Sequence, residues 1–366
     1  MDNNIEKSQK EDSKKKNKNN KYLWSLLFVV IAVLTVWAVT AQSKTFSISS
    51  FLSFVGTLDI KFVICAFLAM IGFIFFEALA IKTVASSFGY KRSIMKNYTY
   101  SAADIYFSSI TPSASGGQPA SALFMIQDGI PGPMVTVILL VNLVMYTFAI
   151  LVLGIICFIL SPAIFLHFSG FSKFLIIIGC IAQLLIAFAF IMLLRHGKIL
   201  YKMCSFFLLI LAKMRIIKNL NEKKQGLSES IEKYSGYVHQ IKDKKLMLLK
   251  TFIFNFLQRF SMIAVTVFTF LATGGAFSET VDIWAAQSMV VLGSNTVPIP
   301  GAMGVADYLL LDAFGDIMSE SAAVNLELLS RAISFYVCVI ICGVTFLIRC
   351  LLSRYMKRKV QNDRLL

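Results

Sequence analysis

The chain is poor in charge: only 15% of its 366 residues are Asp, Glu, Lys or Arg, and it has only three histidines. In a typical soluble domain about 25% of the residues are charged and about 45–50% are apolar, whereas 57% of this chain is hydrophobic. The mean hydropathy of +0.73 points the same way. This composition excludes an ordinary soluble domain and predicts a polytopic membrane protein.

Patterns for metal binding, disulfide bonding and catalysis are also missing. The seven cysteines are odd in number, lie in or beside apolar runs and form no CxxC pair, so neither a disulfide framework nor a metal site is predicted. The chain contains no P-loop, no HExxH and no GxSxG. We therefore predict no catalytic residues, no metal and no cofactor.

Apolar runs long enough to cross a bilayer are present instead, since a span needs about 20 residues. The first could be read as a signal peptide, but its long apolar core and the long tail before it favour a retained span. The six runs are Tyr22–Ala41, Ile60–Ala80, Met134–Leu160, Phe171–Leu194, Leu246–Ala272 and Ala323–Leu352.

Positive charge is concentrated in four blocks beside these runs. The blocks hold 30 of the 35 Lys and Arg residues. Such blocks mark cytoplasmic loops, so the positive-inside rule explains them better than nucleic-acid binding, and no nucleic-acid partner is predicted. Both termini are then cytoplasmic. The blocks are Lys7–Lys21, Lys82–Lys96, Arg195–Lys250 and Arg349–Arg364.

Two polar stretches with Gly and Pro, 108–119 and 293–304, interrupt the apolar chain and align without a gap. Broken helices at membrane depth survive only when buried in protein or lining a wet cavity, and a matched pair indicates a transporter-type site. All basic blocks face the cytoplasm only if both stretches are re-entrant. We predict an all-α polytopic membrane protein with about six full spans and two oppositely oriented re-entrant helical hairpins forming an inverted repeat; two merely kinked helices are the alternative.

The predicted domain organisation is simple. Residues 1–21 form a disordered basic cytoplasmic tail, 22–352 a membrane domain and 353–366 a second basic tail. Residues 195–245 form an insert, in which Ile199–Leu211 lies in the membrane interface or makes an extra half-span. Residues 220–245 are either an amphipathic helix or a solvated connector.

Polar side chains and glycines in the two breaks are the first candidates for a substrate site. Hydroxyl and amide groups can satisfy freed backbone groups or a bound guest, and glycine allows close backbone approach. The helix N-terminus after each break favours a phosphate. The candidates are Thr111, Ser113, Ser115, Gly116, Gly117, Gln118, Asn295, Thr296 and Gly301.

Ionisable residues in or near the spans are the second group, because they are functional by default in a membrane. Arg259 lies midway in an apolar run, and either Asp104 or Asp307 could neutralise it. Glu327 and Arg331 are four residues apart, which suits a local helix pair or a functional one. The candidates are Glu77, Asp104, Arg259, Asp307, Glu327 and Arg331.

The string from Ile110 to Pro119, followed by Asp128-Gly129-Ile130, resembles the lysylphosphatidylglycerol synthase transmembrane, or flippase-like, family. The segment Pro300–Val305 and Arg331 are similar to its pattern, and the resemblance covers about residues 20–355. In bacterial multiple peptide resistance factors such a domain is joined to a synthase that moves lysine from lysyl-tRNA to phosphatidylglycerol. The membrane part is implied to flip the product outward, which weakens attraction of cationic antimicrobial peptides.

The resemblance implies a polar-lipid translocase of the bacterial cytoplasmic membrane, with phospholipid headgroups and membrane lipids as partners. Only fourteen residues follow Leu352 in this sequence, and the polar stretch 213–245 is too short for an acyltransferase fold. The alternative is therefore a membrane subunit of phosphatidylglycerol lysyltransferase, with catalysis on a separate synthase subunit. A non-transporting scaffold is the third hypothesis.

Overall fold

The computed structural model describes residues 53–111, 114–214, 219–299, 302, 304–315 and 317–362. The predicted span Tyr22–Ala41 and the tail 1–21 lie outside the described residues. The helices from Ile60 onward belong to one compact unit, which runs from Thr57 to Leu366.

The described part of this unit is helical and contains no strand, which confirms the predicted all-α class. A short 3-10 turn, Phe277–Glu279, precedes α10, and a π-helical segment, Ala332–Val337, joins α12 to α13. In chain order the helices are α1 Ile60–Ser87, α2 Ile94–Ile110, α3 Gly117–Gln127, α4 Gly132–Leu160, α5 Pro162–His167, α6 Gly170–Arg195, α7 Gly197–Lys213, α8 Leu220–Ile241, α9 Lys245–Ala272, α10 Thr280–Ser294, α11 Val305–Phe314, α12 Glu320–Arg331 and α13 Cys338–Asn362.

Five helical segments within the described residues are long and apolar enough to cross a membrane. They are α1, α4, α6, α9 and the segment Ser321–Leu352, which contains most of α12 and α13. Each corresponds to one of the predicted runs. Large apolar side chains on their outer surfaces are exposed, for example Leu68 at 61% and Leu185 at 64%, as expected where lipid is the solvent.

The inverted repeat is visible in the packing of α1 on α9. Shifting α1 by 185 positions, the offset that superposes Ser109 on Ser294, gives the bounds of α9. The Asp59 N–H donates to the Ala272 carbonyl at 3.0 Å, and Lys244 Nζ donates to the Ser87 carbonyl at 2.7 Å. Adding 185 to Asp59 gives Lys244, and subtracting 185 from Ala272 gives Ser87, so the shift turns one contact into the other. The two helices are therefore antiparallel and related by a pseudo-two-fold axis.

Two short helical hairpins occupy corresponding places in the two repeats. Helices α2 and α3 pack on each other, as do α10 and α11. We call the end of the bundle with Ser87, Asp128 and Lys244 the basic end, and the end with Asp59 and Ala272 the opposite end. The first hairpin starts at the basic end, just after α1, and the second starts at the opposite end, just after α9. Their re-entry into a membrane remains a prediction.

Each hairpin packs against the span of the other repeat: α4 contacts α10, and α13 contacts α2. Two separate apolar clusters surround the bases of the hairpins. One includes Tyr100, Phe124 and Met134 from α2, α3 and α4. The other includes Met289 and Phe314 from α10 and α11. The tips of both hairpins are thus left between two well-packed ends.

The insert contains two helices, α7 and α8, and α8 covers most of the stretch 220–245, for which an amphipathic helix or a solvated connector was predicted. Helix α8 buries Tyr234 and Ile241, and the Tyr234 hydroxyl donates to the Leu193 carbonyl at 2.9 Å, fixing α8 to the end of α6. Helix α7 has 17 residues, buries none of them and is not among the spanning segments. Its exposed Phe206 and Phe207 suit the predicted interfacial position.

Asp128 holds the basic end together at the turn between α3 and α4. Its carboxylate accepts from the Tyr100 hydroxyl at 2.6 Å, from Lys96 Nζ at 3.1 Å and from Arg349 at 2.6 Å. Arg92 donates to the backbone carbonyl of the same residue at 2.6 Å. The cluster therefore ties the base of the first hairpin to Arg349 in α13.

Protonation of Asp128 is expected to loosen this end. Burial raises its pKa, but hydrogen bonds from Tyr100 and Lys96 and the charge of Arg349 together hold the pKa below its usual value. Such a carboxylate stabilises the fold above the unfolded-state pKa of about 3.9, and the contribution is lost as pH falls through the lower native value. We expect Asp128→Asn to lower the Tm at neutral pH, with a difference from the parent that shrinks below about pH 4. Scanning fluorimetry across this range measures it, and a difference that does not shrink contradicts the assignment.

Candidate functional site

A polar cavity of about 690 Å³ lies between the tips of the two hairpins. Helices α1, α2, α4, α6, α9 and α10 and the segment around Arg331 contribute side chains to it. The volume is in the range of small-ligand sites. It corresponds to about 20 water molecules at the roughly 30 Å³ that each occupies in the liquid.

Thr111 organises the first break. Helix α2 ends at Ile110, and Thr111 is extended, with its hydroxyl donating to the Phe107 carbonyl at 2.6 Å. The same hydroxyl oxygen accepts from the Gly116 N–H at 2.9 Å. Ala114 adopts a positive φ of 52°. Thr111 therefore satisfies backbone groups freed by the break, and neither it nor Gly116 lines the cavity.

Gly117 permits the start of α3 to approach α2 closely. A Cβ atom at this position would lie 2.0 Å from Ser108 Oγ, 2.1 Å from Asp104 Oδ1 and 2.5 Å from the Asp104 carbonyl oxygen. No other residue type fits unless the two helices separate. Glycine here is required by contact between helices, and Gly117 itself does not line the cavity.

A carboxylate of the chain itself lies at the N-terminus of each returning helix. Asp104 is 5% exposed, accepts from Ser108 Oγ at 3.1 Å and from Gln118 Nε2 at 2.5 Å, and sits against the start of α3. Asp307 accepts from the Gly304 N–H at 2.8 Å at the start of α11. These carboxylates already complement the two helix dipoles, so these N-termini do not suit the phosphate that the sequence predicted there.

Asn295 connects the second tip to two spans. Its Oδ1 accepts from the Tyr146 hydroxyl at 3.0 Å, and its Nδ2 donates to Gln183 Oε1 at 3.3 Å. Ala302, in the same break, has a positive φ of 51°, close to that of Ala114. Asn295 and Thr296 both line the cavity. Ser113 and Gly301 lie outside the described residues.

Arg331 is held by two acids at an irregular point of its helix. Its guanidinium pairs with Asp307, and its Nε donates to Glu327 at 3.4 Å. The π-helical turn Ala332–Val337 begins at the next residue, and such turns often occur at functional sites. The pair of Glu327 and Arg331 is thus a local helix pair that also reaches the second hairpin.

Arg259 has no ion pair among the described residues, so the expectation that Asp104 or Asp307 neutralises it directly was wrong. Its guanidinium instead lies over the ring of Tyr146, 4.1 Å from the centroid, and 5.4 Å from that of Phe73. The aromatic rings hold the charge in place while leaving hydrogen-bond donors unused; Arg259 Nε is buried without a partner in the described part of the chain.

The structure brings most of the predicted site residues to one cavity and adds others. Predicted residues that line it are Glu77, Asp104, Ser115, Gln118, Arg259, Asn295, Thr296, Asp307 and Arg331. Single polar residues inside otherwise apolar helices were missed, although a search for lone amides and hydroxyls within the spans would have found them. They include Asn142, Tyr146, Thr147, Gln183, Gln258 and Gln287.

Comparison with known protein families gives a match over residues 23–342 to the family described as "Lysylphosphatidylglycerol synthase TM region". No curated protein and no solved structure shows significant similarity to the chain. The match covers most of the chain, including both broken stretches and the spans around them, and it supports a role connected with membrane lipids. The chain belongs to the lysylphosphatidylglycerol synthase transmembrane family.

Proposed function

We propose that this protein is a translocase for a polar phospholipid in the bacterial cytoplasmic membrane. The observation that carries the proposal is the polar cavity between two hairpin tips that enter from opposite ends of the bundle. A headgroup crossing a bilayer needs polar groups at mid-depth, and broken helices lining a wet cavity supply them. The acyl chains would stay in the surrounding lipid.

Different side chains of the cavity bind different parts of the headgroup. Arg259 attracts the phosphate, because its guanidinium donors are directed by aromatic stacking and are not consumed by an ion pair among the described residues. Hydroxyl and amide groups of Ser115, Gln118, Asn295 and Thr296 replace the water that the headgroup loses. Asp104 balances the charge or binds a cationic group of the lipid.

The alternation of access would involve the two hairpins. The first is tied to the basic end by Asp128, Lys96 and Arg349, and the second is tied to α12 by Asp307 and Arg331. Breaking one set of contacts while the other holds would open the cavity toward one leaflet at a time.

The second candidate is a membrane subunit of phosphatidylglycerol lysyltransferase. The name of the family, which refers to a synthase, favours it. In this case the same cavity would present phosphatidylglycerol to a catalytic domain on a separate synthase subunit.

Reconstitution distinguishes the two. Purified protein in vesicles with a fluorescent phospholipid in both leaflets should let dithionite, added outside, bleach more than the outer half of the dye. Protein-free vesicles and vesicles with an unrelated helical membrane protein are the controls. Bleaching that stops at half in every sample contradicts the translocase. New lysylated lipid in cells that express the chain, seen by thin-layer chromatography, would support the synthase subunit.

A further inference from the structure

Two buried carboxylates of the cavity have no ion-pair partner among the described residues. Glu77 on α1 and Asp104 on α2 are each 5% exposed and both line the cavity. Glu77 Oε2 accepts from Ser101 Oγ at 3.1 Å and from Gln258 Nε2 at 3.0 Å. Asp104 accepts from Ser108 and Gln118. All these donors are neutral, whereas buried carboxylates usually have a charged partner.

The two glutamines add acceptors that lack donors. An ionised carboxylate only accepts, so each amide turns its NH2 toward the acid, and the oxygen of the same amide is left for another partner beside the acid. Gln258 is 2% exposed, lines the cavity, and its Oε1 is buried without a hydrogen-bond partner among the described residues. Gln118 Oε1 is in the same state. An unsatisfied buried acceptor is unfavourable, so a donor or a cation is expected there.

The surrounding charges leave room for one further positive charge. Arg331 is already paired with Asp307 and Glu327. Arg259 on α9 is stacked on Tyr146 of α4 and makes no ion pair in the described part of the chain, although its charge acts on Glu77. One positive charge near two carboxylates still leaves one negative charge to balance. Cys338 on α13 also lines this part of the cavity and supplies no cation.

We propose that Glu77, Asp104, Gln118 and Gln258 form a site for a small monovalent cation, either a proton or Na⁺. It adjoins the headgroup site around Arg259 and shares Asp104 and Gln118 with it. Oxygen-only acceptors suit both ions, and two carboxylates with two amide oxygens fall short of the ligand set of a tightly held divalent metal. No group of three or more His, Cys, Asp or Glu that could hold a metal occurs in the described residues.

The cation couples lipid movement to an ion gradient, a consequence that rests on the proposed function. Glu77 and Gln258 belong to the antiparallel pair α1 and α9, while Asp104 and Gln118 belong to the first hairpin. A bound cation would draw these two units together, and its loss would let the like charges of Glu77 and Asp104 push them apart. Ion occupancy thus biases the position of the first hairpin tip.

Entry of an ion into a buried site moves charge, which can be measured without lipid transport. Proteoliposomes on a solid-supported membrane are given a rapid Na⁺ step at constant pH, or a pH step without Na⁺. We expect a transient current with one of the two steps, which identifies the cation. No transient current above protein-free liposomes with either step overturns the proposal.

Variants locate the site. Glu77→Gln combined with Asp104→Asn should abolish the current, whereas Asp243→Asn, which removes an exposed carboxylate outside the cavity, should retain it. A current that persists in the double variant overturns the assignment. If the double variant elutes as aggregate, Gln258→Met keeps both acids and side-chain length, and should raise the half-saturating cation concentration several-fold; an unchanged value overturns the assignment.

The lipid assay separates this proposal from the proposed function. A current without dithionite-accessible lipid movement contradicts the translocase proposal and leaves the cation-site proposal standing. Lipid movement without a current contradicts the cation-site proposal and leaves the translocase proposal standing. With both present, an imposed gradient of the identified ion should change the initial flipping rate of the parent several-fold, and equal rates with and without the gradient overturn the coupling.

Discussion

Gly117→Val is expected to abolish lipid movement while the protein still inserts and folds as a helical bundle. The new side chain would overlap Ser108 Oγ and the carboxylate and backbone carbonyl of Asp104, and the backbone carbonyl cannot move away by rotation of a side chain. The start of α3 must then leave α2, which carries Gln118 away from Asp104. Overpacking of this kind is unfavourable by about 1–3 kcal/mol or more. With the first hairpin tip displaced, we expect no lipid movement above that of protein-free vesicles.

The dithionite assay in reconstituted vesicles measures this change. Gly226→Val is the matched control, because a Cβ at Gly226 meets no atom within 4 Å and the residue lies on the exposed surface of α8. Size-exclusion profiles and helical circular dichroism of both variants should match the parent. A Gly117→Val protein that flips lipid at the parental rate would mean that the geometry of the first tip is irrelevant to transport.

Arg259→Gln is expected to reduce transport of an anionic phospholipid by about tenfold or more, since hydrogen bonds to a charged group contribute about 1.5–3 kcal/mol. The variant keeps a polar side chain of moderate length but removes the positive charge from between Tyr146 and Phe73. Arg259→Lys should recover only part of the rate, because an ammonium cannot stack as a plane or donate a bidentate pair to phosphate.

The matched control for Arg259 is Lys250→Gln, which removes a cation from the exposed surface of the same helix, α9. It should flip lipid at the parental rate. Equal loss in both variants would point to a general effect of charge on insertion. A parental rate in Arg259→Gln, at equal protein recovery, would exclude Arg259 as the headgroup anchor.

The spans were predictable because hydrocarbon imposes a minimum length and a lack of charge. Ile60–Ala80, for example, was recognised as a span. The helix itself continues to Ser87, and its last turns, which include Lys82, lie beyond the apolar run that predicted the span. The pair of broken stretches was predictable for a related reason, since Gly, Pro and hydroxyl clusters have no place in an unbroken span.

The partners of individual side chains were not predictable. Sequence spacing left Asp104 and Asp307 equally placed to neutralise Arg259. In the structure Asp307 forms an ion pair with Arg331, and Asp104 accepts hydrogen bonds from Ser108 and Gln118. Such partners come from different helices, and the distance between them depends on how the helices cross. The role of Thr111 was not predictable either. It was expected to bind substrate, but its hydroxyl hydrogen-bonds backbone groups of the break and does not line the cavity.

The sequence by itself determined that the chain is a helical membrane protein with two matched interruptions, because periodicity, length and charge placement are local properties that the bilayer constrains directly. Only the tertiary structure decided that α1 and α9 are antiparallel partners, that the two tips face one cavity, and that Arg259 lies on aromatic rings with no acid paired to it among the described residues. These features depend on contacts between residues more than a hundred positions apart. Packing selects such contacts from many that the spacing of residues would allow.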